Sequence, residues 1–584
     1  MSDFRPPASE TAFILEHVVG YRDLAELPGF EHADLDTVVE LLDEAADFMS
    51  KVVAPTNRVG DTEGARRNPD GTVTLPDAFR KAYDAYVDGG WGSLPFPEEF
   101  EGGGFPSVVG LALQEMVQSS NMAFALCPLL TQGAIDALLH YGSDDQKATY
   151  LPKMVTGEWT GTMHLTEPQA GSDVGALTTK AVPNGDGTYS ITGQKIFITW
   201  GEHELTDNIV HLVLARTPGA PAGTRGISCF IVPKYLVNED GSLGERNGTT
   251  CLSIEHKLGI HGSPTCVMQH DGATGYLIGE ENQGMRIMFV MMNVARLSVG
   301  MQGVALAERA YQQALSYAKE RRQGLAVGQT GTDSPIIDHP DVRRMLMTQR
   351  ASIAAIRSMM LLNASQMDIA SHHPDPETRQ RASEIVGLLT PICKSFGTDI
   401  GNEVTSSAIQ VHGGMGYIEE TGVAQHFRDV RIAAIYEGTN GIQAADLVGR
   451  KLGVRDGASV MEYIAHMRGI LGELTAADDD FATISAELGK QFDALESATT
   501  WMLRTGIADP QAVLSGSSPY LRMWGLVLGG WLLAKGAIAA ADSGDESLAK
   551  EKLVIARFYA EQILPQVSGL SGAATAGSRD LFAL

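Results

Sequence analysis

Apolar positions Leu35, Val38, Val39, Leu42, Ala45, Ala46 and Met49 recur at three- and four-residue spacing, which predicts an amphipathic helix with Asp34 as its N-cap. A second helix is predicted over 76–88, where Pro76 suits a first turn. The Pro- and Gly-rich stretch 91–106 breaks the pattern, and helical spacing resumes over 108–119 and 133–141. From about residue 161 the period shortens. β-rich runs at 189–192, 195–199, 209–215, 226–232 and 265–270 alternate with turn signals such as Asn184-Gly185-Asp186-Gly187 and Thr217-Pro218-Gly219. These predict a β domain, a barrel or a sandwich. After Gly284 the chain is helical again, with one long pattern over 285–323 and others over 341–371, 377–396 and 399–411, which suggests a bundle. Three or four more helices follow Arg450, separated by the polar link 475–480 and by Ser515-Gly516-Ser517-Ser518. The expected organisation is a multidomain α+β chain: a helical domain at 1–160, a β domain at 161–283, a helical bundle at 284–450 and a helical extension at 451–584.

Composition narrows the function classes. A chain of 584 residues is too long for one hydrophobic core, and 44% apolar residues fit a globular protein. A net charge of -27 argues against nucleic acid or an anionic membrane as the main partner, yet leaves room for an anionic ligand held by local arginines. The most apolar run, 523–534, stops at Lys535; it is too short for a membrane span and reads as a buried helix. Cys127, Cys229, Cys251, Cys266 and Cys393 are scattered, without disulfide-framework or metal-ligand spacing. The N-terminus lacks the basic and apolar regions of a signal peptide, so a reduced, cytoplasmic protein with no metal is expected.

Candidate chemistry concentrates in a few strings. Tyr436-Glu437-Gly438-Thr439-Asn440-Gly441-Ile442 sets a carboxylate between a tyrosine and a glycine. A Glu among apolar and aromatic neighbours would acquire the raised pKa of a general base, but from this stretch alone a loop with a solvated Glu is the better reading, because a short Glu-Gly-Thr string is common. Met163-His164-Leu165-Thr166-Glu167-Pro168-Gln169-Ala170-Gly171-Ser172-Asp173 is a hydroxyl-rich loop at the entry to the β domain. Gly193-Gln194-Lys195-Ile196-Phe197-Ile198-Thr199 has the look of a core strand, Arg321-Arg322-Gln323-Gly324 ends a helix, and Gln410-Val411-His412-Gly413-Gly414-Met415-Gly416-Tyr417 is a Gly-rich turn that permits close approach to a nucleotide.

Together, in this order, these strings resemble the acyl-CoA dehydrogenase family over roughly residues 35–452. The resemblance implies FAD as cofactor. Met163, Leu165, Thr166, Ser172, Phe197, Ile198, Thr199, Arg321, Gln410, Gly414, Thr439 and Asn440 stand at cofactor-binding positions, with Ser172, Asn293, Arg296 and Gly438 at substrate-binding ones. Phe197 replaces the family's usual Trp and keeps only a stacking role; the Phe of the Arg-x-Gln-Phe-Gly string is missing, so Arg321 or Arg322 fills the arginine's place. Some members carry their catalytic Glu on the helix of Arg296; Ala295 precedes that arginine and no acid stands there, which leaves Glu437 as the base. The implied reaction is α,β-dehydrogenation of an acyl-CoA: Glu437 removes the Cα proton, a hydride goes to flavin N5, and the Glu437 N–H helps to stabilise the enolate-like oxygen. Electrons would pass to an electron-transfer flavoprotein, or to oxygen in an oxidase; a non-catalytic acyl-CoA-binding protein is the alternative of a different class. Residues after Arg450 exceed the family core. With Glu245-Arg246-Asn247-Gly248 and the His339-Pro340-Asp341 run, they resemble the bacterial 3-methylthiopropanoyl-CoA dehydrogenase-like group, and a homodimer is expected.

Overall fold

A computed structural model describes residues 4–477 and 479–583; Asp478, inside the polar link read at 475–480, lies outside the described residues, as do the first three residues of the N-terminus. The chain divides into two compact units, one of residues 47–105 and 120–295, the other of 4–46, 106–119 and 296–584.

In the first unit, helices Thr56–Glu63, Asp77–Asp88, Met122–Tyr141 and Asp144–Thr156 accompany a seven-stranded sheet. Met122–Tyr141 begins well before the predicted 133–141, because residues 122–135 are buried on every side and show no amphipathic period. Asn121 caps it, its Oδ1 accepting from Phe124 N at 3.1 Å. The helix lies tight against strand Trp159–His164. Thr131 Oγ1 accepts from Gly161 N at 3.0 Å, and a Cβ on Gly161 would come within 2.6 Å of Ala134 Cβ. That strand leads into the hydroxyl-rich loop.

Trp159–His164 runs parallel to Asn208–Ala215, and the sheet continues antiparallel through Ser228–Pro233, Thr265–Leu277, Tyr189–Thr199 and Lys180–Pro183, while Thr249–Ile254 adds to Thr265–Leu277. Register shifts after Cys266 and Asp271 bend Thr265–Leu277, so its first part pairs with Tyr189–Thr199 and its end with Ser228–Pro233. The predicted runs 189–192 and 195–199 form one strand, because pairing continues through Gly193 opposite His270. Ala181, Ile191, Val213, Phe230, Val232 and Ala273 fill one core of this β domain. The Glu245–Gly248 element ends strand Leu243–Arg246. Its Asn247 ties neighbouring backbone, donating to Pro233 O and Thr274 O and accepting from Thr274 N at 2.8 to 3.0 Å.

The second unit is all helical. Its long members are Gly284–Glu320 from residue 296 onward, Pro340–His372 and Pro376–His412, followed by the short Val423–Val430 and Asn440–Asp446. Asp34 caps Leu35–Phe48 as expected, accepting from Thr37 N at 2.8 Å. The predicted helices 377–396 and 399–411 are one continuous helix, and Pro391 sits inside it. The expected break between 396 and 399 does not occur: Gly397 there serves packing, the helix crosses Gly284–Glu320 at Gly397 and Gly401, and a Cβ on Gly401 would lie 2.7 Å from Gly303 Cα. His339 precedes Pro340 at the first turn of its helix and bonds Gln323 O at 2.8 Å.

The extension adds Ala458–Arg468, Ile470–Ala477, Ala482–Ala508, Pro510–Ser515, Ser517–Asp542, Glu546–Gln562 and Gln566–Ala574. Helix Ile470–Ala477 takes in the first half of the expected polar link, whereas Gly516 interrupts the chain as expected. The apolar run 523–534 is the buried heart of Ser517–Asp542. Among the described residues Met122–Tyr141, Gly284–Glu320 and Ser517–Asp542 are long and apolar enough to cross a membrane, but 78 to 89% of their apolar windows is buried inside the chain. Packing accounts for their composition.

Candidate active site

In the second unit, the turn Tyr436–Glu437–Gly438 joins the short helix Arg431–Ala434 to Asn440–Asp446. Thr439 caps the latter, its Oγ1 accepting from Ile442 N at 3.3 Å. The turn is left-handed, with φ of 55° at Glu437 and 81° at Gly438. A non-glycine residue held there is strained, and such strain gathers where a side chain must be aimed. Gly438 is required twice over: its φ suits glycine, and a Cβ would lie 2.8 Å from Gln443 Nε2. Gln443 Nε2 donates to Glu437 O at 3.2 Å, and the Tyr436 hydroxyl bonds Gln302 Oε1.

The Glu437 carboxylate is half-buried and accepts no hydrogen bond among the described residues. Burial pushes it up to about 7, against the pull of the Arg296 guanidinium and the Lys394 ammonium. Arg296, on helix Gly284–Glu320, is buried and pairs with Asp446 at 3.7 Å, and Asp446 also holds Arg450 at 2.6 Å. Lys394, on Pro376–His412, is fully buried. Its Nζ donates to Gly438 O at 2.8 Å and to Asn440 Oδ1 at 2.9 Å. Asn440 in turn donates to Asp399 Oδ1 at 2.7 Å and to Thr398 Oγ1 at 3.0 Å, so its amide is engaged within the protein. Thr439 is exposed.

Elsewhere in this unit, Gln410 is exposed at the end of its helix, and Gly413 and Gly414 follow it with open space where a Cβ would stand. Met415 and Tyr417 are exposed beside them. Of the two arginines at 321 and 322, Arg322 is held by Asp333 at 2.9 Å, while Arg321 reaches Gln323 at 3.2 Å.

The first unit carries the other predicted positions. Thr166 O accepts from Ile196 N at 2.9 Å, which lays the Met163–Leu165–Thr166 segment along the strand bearing Phe197. Phe197 has φ of 58° and is 58% exposed, an aromatic ring turned out of its sheet by strained backbone. Ile198 is buried in a cluster with Val73, Cys251, Cys266 and Met268. Thr199 is half-buried, Ser172 and Asn293 are exposed, and Trp200 is buried with its Nε1 donating to Ala123 O at 3.3 Å. Glu167 anchors the loop. It accepts from Lys195 Nζ at 2.9 Å, Thr178 N at 2.7 Å, Thr179 N at 3.0 Å and Thr179 Oγ1 at 2.6 Å. In the first unit, an exposed ring beside backbone and hydroxyl donors suits a flat heterocycle; in the second, taken by itself, a glycine cradle with an exposed carboxamide suits the close approach of a dinucleotide. FAD therefore suits the residues present.

Sequence reasoning missed Lys394, Gln302, Gln443 and Asp446. Only Lys394 left a signal, a lone cation inside the apolar run 388–396.

An all-helical unit, a helical and β unit, and a desolvated carboxylate on a strained turn define a class of flavin-using dehydrogenases. The comparisons place the chain within it. Family models for the acyl-CoA dehydrogenase N-terminal, middle and C-terminal domains match residues 36–158, 162–273 and 282–452, and the acetyl-CoA dehydrogenase C-terminal-like model matches 462–584. The 3-methylmercaptopropionyl-CoA dehydrogenase of Ruegeria pomeroyi is 48% identical over 97% of each chain, and a butyryl-CoA dehydrogenase of Syntrophomonas wolfei is 35% identical, covering 92% of this chain and 91% of its own. The acyl-CoA dehydrogenase of Bacillus anthracis, solved with FAD, shares the fold at a TM-score of 0.75 with 20% identity, covering 98% of this chain and 92% of that one. The chain belongs to the acyl-CoA dehydrogenase family, FAD-dependent oxidoreductases that act on a CH–CH bond.

Proposed function

We propose that this enzyme oxidises a short acyl-CoA thioester to its trans-2-enoyl-CoA with Glu437 as the base. The observation that carries this reading is the Glu437 carboxylate itself: half-buried, without a hydrogen-bond partner among the described residues, raised to about 7, and aimed by a left-handed turn. Glu437 Oε takes the Cα proton. Its backbone N–H, which also has no partner among the described residues, donates to the thioester oxygen as that oxygen gains charge. FAD supplies the hydride acceptor when bound. Phe197 and the Met163–Thr166 segment shape the flavin side, and Arg321, Gln410 and Gly414 approach the dinucleotide. Electrons leave to an electron-transfer flavoprotein. The names of the relatives favour a short acyl group, including one with a sulfur in the chain. The long extension favours a homodimer, and the scattered cysteines favour a reduced, cytoplasmic setting for acyl-CoA breakdown.

Glu437→Gln tests the assignment. The variant is expected to keep flavin and acyl-CoA binding and to lose at least ~10²-fold in the rate of anaerobic flavin bleaching by butyryl-CoA and 3-methylmercaptopropionyl-CoA. Bleaching at the wild-type rate would remove Glu437 from the mechanism. Stoichiometric hydrogen peroxide in air would move the enzyme to the oxidases.

A further inference from the structure

We propose that Lys394 is a positioning residue for Glu437, its buried ammonium clamping the Gly438 carbonyl and the Asn440 amide to hold the left-handed turn and set a cation next to the residue that carries the carboxylate. The inference rests on the reading of Glu437 as the base. A fully buried lysine in mid-helix is costly to charge, and such groups persist where their charge or geometry is used. Lys394 makes two donations, to Gly438 O at 2.8 Å and Asn440 Oδ1 at 2.9 Å, one on each side of Thr439. They fix the residue after Glu437 and the first residue of Asn440–Asp446, the two points that set the direction of the turn. Asn440 is locked in its turn by Asp399 at 2.7 Å, Thr398 Oγ1 at 3.0 Å and Ser395 O at 3.2 Å, all on the helix of Lys394. The clamp is thus a closed frame between that helix and the turn. Arg296 forms an ion pair with Asp446 at 3.7 Å.

The charged and titratable groups around Glu437 are Arg296, Lys394 and the Tyr436 hydroxyl; Asp399 faces Lys394, and Asp446 and Arg450 face Arg296. Burial draws Lys394 down to about 7, against the pull of Glu437 and Asp399.

The test uses the FAD holoenzyme. Anaerobic flavin bleaching by butyryl-CoA is followed from pH 5.5 to 9 in Lys394→Gln, which keeps a donor without the charge, and in Lys394→Arg, which keeps the charge. In Lys394→Gln the acid limb of the rate profile is expected to move up by about one pH unit or more, the effect of losing an opposite charge at close range. The affinity for butyryl-CoA stays within a few-fold of wild type, and Lys394→Arg restores the limb. A Lys394→Gln limb at the wild-type pH overturns the proposal, as does a rate loss matched by an equal loss of butyryl-CoA affinity. Loss of flavin and fold in both variants also overturns it, since Lys394 would then be a packing residue. Glu437→Gln in parallel separates the two readings: an unaffected rate there condemns the base, whereas a dead Glu437→Gln beside an unmoved Lys394→Gln limb condemns only the clamp.

Discussion

At the scale of single residues, two glutamates diverge through their surroundings. Glu437 is raised by burial to about 7, so the folded protein binds its proton more tightly than the unfolded chain does. The stabilising effect of that proton is complete below the unfolded carboxylate range and is lost as pH rises through about 7. Substrate-free Glu437→Gln is therefore expected to melt higher than wild type at pH 8, with the gap closing towards pH 5; scanning calorimetry at the two pH values checks it. Glu167 shows the opposite sign. Burial opposes its charge, but Lys195 and the hydroxyl and backbone donors of Thr178 and Thr179 outweigh burial and bring it down to about 2. Its contribution is present above the ordinary carboxylate range and is lost as pH falls through about 2. Glu167→Gln leaves the buried Lys195 uncompensated and is expected to cost roughly 3–5 kcal/mol in urea unfolding, the usual penalty for breaking a buried pair. Glu167 lies in the most recognisable string of the chain, yet its side chain serves the architecture of the loop.

At the scale of elements, helix crossings decide where functional groups stand. Gly284–Glu320 brings Arg296 and Gln302, Pro376–His412 brings Lys394 and Asp399, and both meet the Glu437 turn because glycines let them approach. A methyl at Gly401 would press on Gly303 Cα, so Gly401→Ala is expected to cost about 1–3 kcal/mol and to lower turnover by displacing Lys394. Gly414→Ala meets open space and is expected to leave stability unchanged. Paired thermal melts of the two variants check the contrast. The crossing also explains why the two predicted helices are one. The gap between the predicted helices contains Gly397, and Gly is a poor helix former. Its lack of a side chain serves the neighbouring helix instead, and the helix passes through it.

At the scale of the whole molecule, the extension is part of the second unit's core. A Cβ on Gly525 would fall on the Phe396 ring, and Tyr559 donates to Leu526 O at 3.1 Å. Truncation after residue 452 would expose the apolar faces of Pro340–His372 and Pro376–His412, so a shortened chain is expected to aggregate on expression, as checked by the soluble fraction. In the first unit, four buried histidines, His164, His203, His211 and His270, form a different liability. Burial lowers His211 to about 4 and His270 to about 3, the latter also through its cationic neighbours. Their neutral state belongs to the fold, so stability is complete above the unfolded histidine range and is lost as pH falls towards about 3. Acid melting that begins below about pH 6 is expected, and His270→Gln should shift the onset downward.

The sequence alone determined what depends on local order and on long strings. It showed the α, β, α order of elements, the Asp34 cap, the buried helix at 523–534 and the family, and it offered Glu437 as the candidate base. These are legible because periodicity and motif spacing are one-dimensional properties. Only the tertiary structure decided which residues surround that carboxylate. Arg296, Lys394 and Gln443 lie 141, 43 and 6 positions from Glu437 in the chain, so no spacing rule links them. Helix crossing brings them together, and burial then sets their charge states, because the cost of a charge depends on what lies around it in space.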